Sequence, residues 1–333
     1  MESSIKQRDY TWDILKFLLI VLVILGHWLL NNLNGSSVNR IVYNFRGLFT
    51  IPLFIFISGY FSRKKTTDKF IKQILNLLET YIVVQILYEV SSYYLLHKAF
   101  TFRALFTPNY SAWFLLSLMF WRMMVQFIPE KWLKSKLIVP ACVMISIAAG
   151  FIPVGYAFSL QRTLALSPFF VCGYILRGSV KFGNTPEKLK WVCISVILAV
   201  FVGSCVFLDR DIKHIFWCSQ SYYLPDGLTW SLLFYRTIFL VVAATMVFCI
   251  LKVFPESKNM SFLSRLGEDT LYYYVYHVLV MRVGQIFIHR FNLPLTFPAM
   301  LLYTLCTIIL IFYILKISFF RKILNPFSSF IQK

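Results

Sequence analysis

Residues 12–33 read WDILKFLLIVLVILGHWLLNNL, and this stretch decides the fold class. An α-helix rises 1.5 Å per residue, so about 20 mostly apolar residues cross about 30 Å of hydrocarbon. Runs of similar length and character recur at 42–62, 74–96, 111–128, 137–155, 161–177, 191–208, 228–251, 270–288 and 297–316. Composition agrees: 59% of the 333 residues are hydrophobic and 14% charged, against roughly 45–50% and 25% in an ordinary soluble domain. No soluble core absorbs that excess. The expectation is an all-α, polytopic membrane helix bundle of about ten transmembrane helices, forming one integral membrane domain over residues 1–333.

Charge placement orients the bundle. Most Lys and Arg of the connections lie in the N-terminus, the even-numbered loops and the C-terminus, including Arg63-Lys64-Lys65, Lys188, Lys190, Arg321 and Lys322. By the positive-inside rule that side is cytoplasmic, with both termini inside. The net charge of +19 elsewhere suggests nucleic acid. Here the cations border apolar spans, so topology and anionic lipid explain them, the bilayer is the expected partner, and no nucleic acid is expected. MESSIKQRDYTWDILK does not read as a cleavable signal, because the apolar run after it is too long and no small-residue cleavage site follows. The seven cysteines show no CxxC spacing and read as small buried apolar residues, with no disulfide or metal framework expected. The longest outer loop, about Asp209 to Gly227, mixes aromatic and polar residues. It reads either as a cover over a site that contacts a sugar or as an ordinary interfacial loop. No internal repeat stands out, which weakens a transporter built from inverted halves.

Function is sought among ionisable groups within the spans, since each is costly in hydrocarbon without a partner or a cavity. Asp13 and Lys16 lie three residues apart and share a helix face, so they can pair near the cytoplasmic end. Lys16 and His27 fall within roughly 20° of one face and about 16 Å apart along the axis. One stripe thus offers a cation below and an imidazole in the outer half. An imidazole suits proton removal from a hydroxyl near neutral pH; the other reading is a histidine satisfied by a neighbouring helix. Arg46, entering the second span from outside, matches His27 in depth. It reads either as a fixed cation for a carboxylate, a phosphate or an oxyanion, or as a snorkelling interfacial arginine. Arg63, Lys64, Lys65, Lys69 and Lys72 form a basic cluster at the inner mouth, suited to a nucleotide or to lipid headgroups.

Asp13, Lys16 and His27, followed by PLFIFISGYF (52–61), SAWFLLSLMFW (111–121), SPFFVCGYILRG (167–178) and LGEDTLYYYVYHVLV (266–280), resemble in order the membrane-bound acyltransferase-3 family, particularly its fucose 4-O-acetylase-like branch. The resemblance spans nearly the whole chain. It implies a multi-pass enzyme of the bacterial cytoplasmic membrane, an O-acyltransferase that moves an acyl group, usually acetyl, from cytoplasmic acetyl-CoA to a hydroxyl of a surface polysaccharide or lipid-linked oligosaccharide. His27 matches the family's essential histidine and Lys16 its basic partner, with Asp13 orienting Lys16. A CoA molecule entering from inside would set its phosphates against Lys16 and the 63–72 cluster. His27 is then the general base, with Arg46 stabilising the oxyanion and no metal required; a histidine-bound acyl intermediate is the variant. No GxSxG is present, and Ser58 lies far below His27.

Two departures qualify the match. Many relatives carry a histidine just before the Pro-Leu-Phe of the second helix, where this chain has Thr50-Ile51-Pro52. Paired arginines after that span are represented by Lys69 and Lys72, less apt for bidentate phosphate binding. Some relatives append an esterase-like domain; none is expected here, and such a partner would be a separate protein. Smaller expectations attach to His277 and Arg236 as substrate contacts and to Trp113 as a surface for a sugar ring or a member of the aromatic belt. Glu79, Glu89, Arg122, Arg236 and Arg282 read chiefly as interhelical pairs. The alternatives from other classes are a transporter, flippase or polymerase for lipid-linked glycans, and a non-catalytic sensor or scaffold. The acceptor sugar, the donor's chain length and the oligomeric state are not encoded legibly.

Overall fold

A computed structural model describes residues 10–31, 33, 36–99, 106–207, 217–224 and 227–324. The helices, in chain order, are α1 (Tyr10–Leu30), α2 (Ser37–Gly47), α3 (Thr50–Tyr60), α4 (Thr67–Leu96), α5 (Trp113–Phe127), the short α6 (Glu130–Leu133), α7 (Ile138–Ala148), α8 (Leu160–Ile175), α9 (Glu187–Phe207), α10 (Trp230–Val253), α11 (Phe262–Glu268), α12 (Thr270–Arg290), α13 (Phe297–Ile314) and α14 (Ser318–Lys322). Strand structure among the described residues is one small antiparallel pairing of Tyr223–Leu224 with Gly227–Leu228. The fold is therefore all-α.

Each of the ten predicted apolar segments holds a helix. Six stretches are long and apolar enough to cross a membrane: α1, α2 with α3, α4, α9, α10 and α13. The others fall short for visible reasons. α5, α7 and α8 have 15, 11 and 16 residues, and α12 carries His277, Arg282 and Gln285 among its apolar positions. Burial follows polarity. α1 has 61% of its apolar window inside the protein, whereas α9 has 11%, so α1 is a central post and α9 turns its side chains outward to lipid.

The second predicted span is two helices rather than one. Pro52 has no N–H for the carbonyl four residues back, at Leu48, and its ring crowds that carbonyl. The chain breaks at Leu48–Phe49, and the Thr50 hydroxyl donates to the Arg46 carbonyl (2.7 Å), satisfying a group at the break. Below the break, α3 packs closely on α8 through reciprocal glycines. A Cβ at Gly59 would lie 2.0 Å from the Phe170 carbonyl oxygen, and one at Gly173 2.0 Å from that of Phe56. Only glycine permits this backbone approach, the small-residue device of membrane helix packing.

At one end of the bundle α1 begins beside the end of α3, with Trp12 packed on Tyr60 (4.4 Å between ring centroids). α11 closes on the same turn: a Cβ at Gly267 would lie 1.9 Å from the Asp13 carbonyl oxygen. Arg321 of α14 forks onto Asp269 beside it, with both contacts at 2.6 Å. The first and last described helices therefore meet at this end. We call it the near end, and the opposite one the far end.

Candidate active site

His27, Arg46 and Trp113, chosen from the sequence, line one cavity of about 240 Å³ at the far end. α1 supplies Val23, His27 and Leu30; α2 supplies Tyr43 and Arg46; the 108–113 segment adds Pro108, Tyr110, Ser111 and Trp113; Tyr156, Arg162, Trp217 and Tyr274 complete most of the wall. Aromatic rings and two guanidinium groups dominate, and among the described residues no Asp or Glu lines it.

Arg46 reaches the cavity by crossing bare backbone. A Cβ at Gly26 would lie 1.7 Å from the Arg46 Cζ, so the guanidinium rests on α1 at the residue next to His27. It also lies 4.4 Å from the Tyr43 ring centroid, a cation–π contact, and its Nε is buried with no hydrogen-bond partner. The sequence places His27 and Arg46 at similar depth; Gly26 brings them together. The His27 ring lies 4.8 Å from the Tyr110 ring and 5.0 Å from the His277 ring, stacked on the latter at 29°. Its ring nitrogens carry no hydrogen bond to a described residue, which leaves them available to a ligand.

His277 is fully buried and does not itself line the cavity. Its Nδ1 bonds the Tyr273 carbonyl (3.0 Å), as an i to i−4 contact within α12, and its Nε2 is unpartnered. Arg236, the other expected substrate contact, lies elsewhere: it donates to the Gln220 carbonyl (3.0 Å) and lies 4.9 Å from the Tyr222 ring, outside the cavity wall.

Sequence reasoning missed Arg162, near the start of α8 at the far end. Its guanidinium lies over Trp113 (5.0 Å) and Tyr156 (5.3 Å), and its Nε donates to the Trp217 carbonyl (3.0 Å). The signal was available, since Arg162 is a cation beside an apolar run like Arg46. Trp217 belongs to the aromatic loop that the sequence singles out, and its Nε1 donates to the Tyr43 hydroxyl (3.1 Å). Residues 209–216 and 225–226 of that loop lie outside the described residues. The Tyr110–Trp113 wall is held by hydrogen bonds from the Tyr274 hydroxyl to the Ser111 carbonyl and between the Tyr88 and Ser111 hydroxyls (2.9 Å). Beyond Tyr110 lies a second, polar cavity of about 350 Å³ lined by Asn31, Glu89, Asn109, Arg282 and Gln285. Of the groups expected to pair between helices, Arg282 of α12 donates to the Tyr88 carbonyl (2.5 Å) and the Ser91 hydroxyl of α4, and Glu89 accepts from Asn109 (2.8 Å).

The near end carries a separate cationic group. Asp13 and Lys16 pair at 2.7 Å, as their spacing predicts. Arg63, Lys65, Arg122 and Gln73 surround a polar cavity of about 130 Å³; among the described residues no acidic group lines its wall, and none hydrogen-bonds the buried Arg122 Nε. Desolvation, reinforced by Arg122 and Arg63, lowers the Lys65 pKa from the ordinary lysine value. Of the other expected cofactor contacts, Lys64 donates to the Ile128 carbonyl (2.5 Å), while Lys69 and Lys72 are exposed on α4 and stand outside this wall.

The arrangement can take a proton from a hydroxyl at His27, stabilise a developing oxyanion at Arg46, and hold an anion at the opposite end. A family model described as an acyltransferase domain, acyltransferase-3, matches residues 9–316. Neither a curated protein nor a solved structure matches the chain.

Proposed function

The chain belongs to the acyltransferase-3 family, whose domain covers residues 9–316, and from this premise we propose that it is an O-acetyltransferase of the fucose 4-O-acetylase-like branch, moving acetyl from cytoplasmic acetyl-CoA to a hydroxyl of a surface polysaccharide or lipid-linked oligosaccharide. In this reading ten helices span a bacterial cytoplasmic membrane, with the near end and both termini inside. The observation that carries the proposal is the pairing of His27 with Arg46 over Gly26 in one cavity.

Phosphates of CoA sit against Lys16, Arg63, Lys65 and Arg122, and the pantetheine arm carries the thioester up toward His27. The acceptor enters at the far end. His27 takes the proton of its hydroxyl as the oxygen attacks the thioester carbonyl, and Arg46 faces the oxyanion of the tetrahedral intermediate. Collapse breaks the carbon–sulfur bond, and the imidazolium returns the proton to the leaving thiolate. His277, stacked on His27 and anchored to Tyr273, is a positioning residue that holds the base's ring plane. Asp13 orients Lys16. The acyl group crosses by reach, without movement of a carrier.

Membranes given radiolabelled acetyl-CoA and an acceptor glycan test this. Labelled glycan is expected from the wild type, and a loss of about 10²- to 10⁴-fold from His27→Ala at equal membrane insertion. Translocation of unaltered lipid-linked glycan with no thioester dependence would instead establish the flippase reading.

A further inference from the structure

Among the described residues, the wall of the far-end cavity holds two guanidinium groups and no carboxylate. Arg46 lies beside His27 and is assigned to the reaction. Arg162 is not: its cationic face lies against Trp113 and Tyr156, its Nε is committed to the Trp217 carbonyl, and no described residue hydrogen-bonds its Nη groups. An arginine oriented in this way presents a fixed, planar donor edge suited to a carboxylate or phosphate. Filling the cavity with a neutral sugar would displace water from both cations and return no charge. An anionic ligand neutralises them, while its ring lies against aromatic faces. The volume of about 240 Å³ is below the roughly 300–1,000 Å³ of typical ligand pockets, which suits one pyranose ring with the remainder of the glycan outside.

We infer that the acceptor is an anionic saccharide, a sugar bearing a carboxylate or a phosphate, and that Arg162 reads its charge while His27 addresses its hydroxyl. The inference rests on the cavity being the acceptor site. It adds a substrate class and a specificity residue that acyl transfer alone does not require.

Purified protein in lipid nanodiscs reports sugar binding through tryptophan fluorescence, since Trp113 and Trp217 line the cavity. The probes are glucuronic acid, glucose 6-phosphate and uncharged methyl glucoside. At least one charged sugar is expected to bind about tenfold or more tighter than the glucoside, which corresponds to about 1.4 kcal/mol; whichever charged probe leads separates carboxylate from phosphate. Arg162→Gln removes the preference and Arg162→Lys keeps part of it. Equal binding of charged and neutral sugars, binding of none of the three, or an undiminished preference in folded Arg162→Gln overturns the inference. A parallel assay with labelled acetyl-CoA keeps the two proposals apart. Transfer to neutral but not anionic sugars removes the charge reading and leaves acyl transfer in place. Selective binding of the anionic sugar with no thioester-dependent product does the reverse.

Discussion

At the scale of single residues, Gly26 carries the most specific expectation. A methyl group there would occupy the space of the Arg46 guanidinium, 1.7 Å from its Cζ, so Gly26→Ala pushes Arg46 off α1 without touching His27. Transfer is expected to fall about 10²- to 10³-fold, the usual effect of losing one oxyanion donor. Arg46→Gln should match it, and a double variant should lose little more than either single one. Additive losses in that double variant would show that Gly26 and Arg46 act separately. Much of this site was legible in the sequence, because a cation or imidazole within an apolar span announces itself by its cost. His27 and Arg46 were found that way. What spacing along one helix does not encode is which groups on other helices turn toward the same space. Arg236 obeys the same rule as Arg46, yet sits on Tyr222 away from the cavity, while Arg162, Tyr110 and Tyr274 face inward because of how α8, the 108–113 segment and α12 pack.

At the scale of elements, helix positions followed from hydropathy, and the break between α2 and α3 did not, although Pro52 was its visible cause. An apolar run with a proline near its middle reads as one span until the missing N–H is traced to Leu48. The α3–α8 contact below the break is a close backbone approach made from both sides, and its tolerance is small. Gly173→Ala would set a Cβ 2.0 Å from the Phe56 carbonyl oxygen, and overpacking of this kind costs about 1–3 kcal/mol. A lower thermal midpoint in detergent, for Gly173→Ala and Gly59→Ala alike, is the expected result. By contrast Gly203→Ala, on lipid-facing α9 with open space at its Cβ position, should leave that midpoint unchanged. α14 adds a smaller clamp, since Arg321 forks onto Asp269 and the Tyr276 hydroxyl donates to the Phe320 carbonyl (2.6 Å). Its loss in Arg321→Gln should cost about 1 kcal/mol or less, read as a small drop in the same midpoint.

Across the whole molecule, the proposed function divides chemistry between two ends, and the division can be measured. His27→Ala should bind CoA as the wild type does while failing to transfer. Arg122→Gln should weaken CoA binding about tenfold or more, the scale of a charge-assisted contact, while leaving sugar-induced fluorescence intact. CoA affinity should also depend on pH. Desolvation and neighbouring cations lower the Lys65 pKa, so Lys65 loses its proton at a lower pH than an ordinary lysine, and binding of phosphate should weaken as pH rises through that value. Lys65→Arg should remove the alkaline decline, and isothermal titration across pH would detect it. Sequence reading expected a cluster of cations here, and Arg63 and Lys65 of that cluster line the cavity. It favoured Lys69 and Lys72, which are exposed on α4, over Arg122, which lies on a different helix.

The interruption at Leu48–Phe49 leaves Arg46 on a short outer rod and the glycine-seated contact with α8 on an inner one. Changes that tilt the outer rod need not travel past the joint. Under the proposed function, descendants of this sequence can therefore retune which acceptor they modify by drift above that joint alone, inheriting the donor end unaltered, as a tool handle accepts different heads.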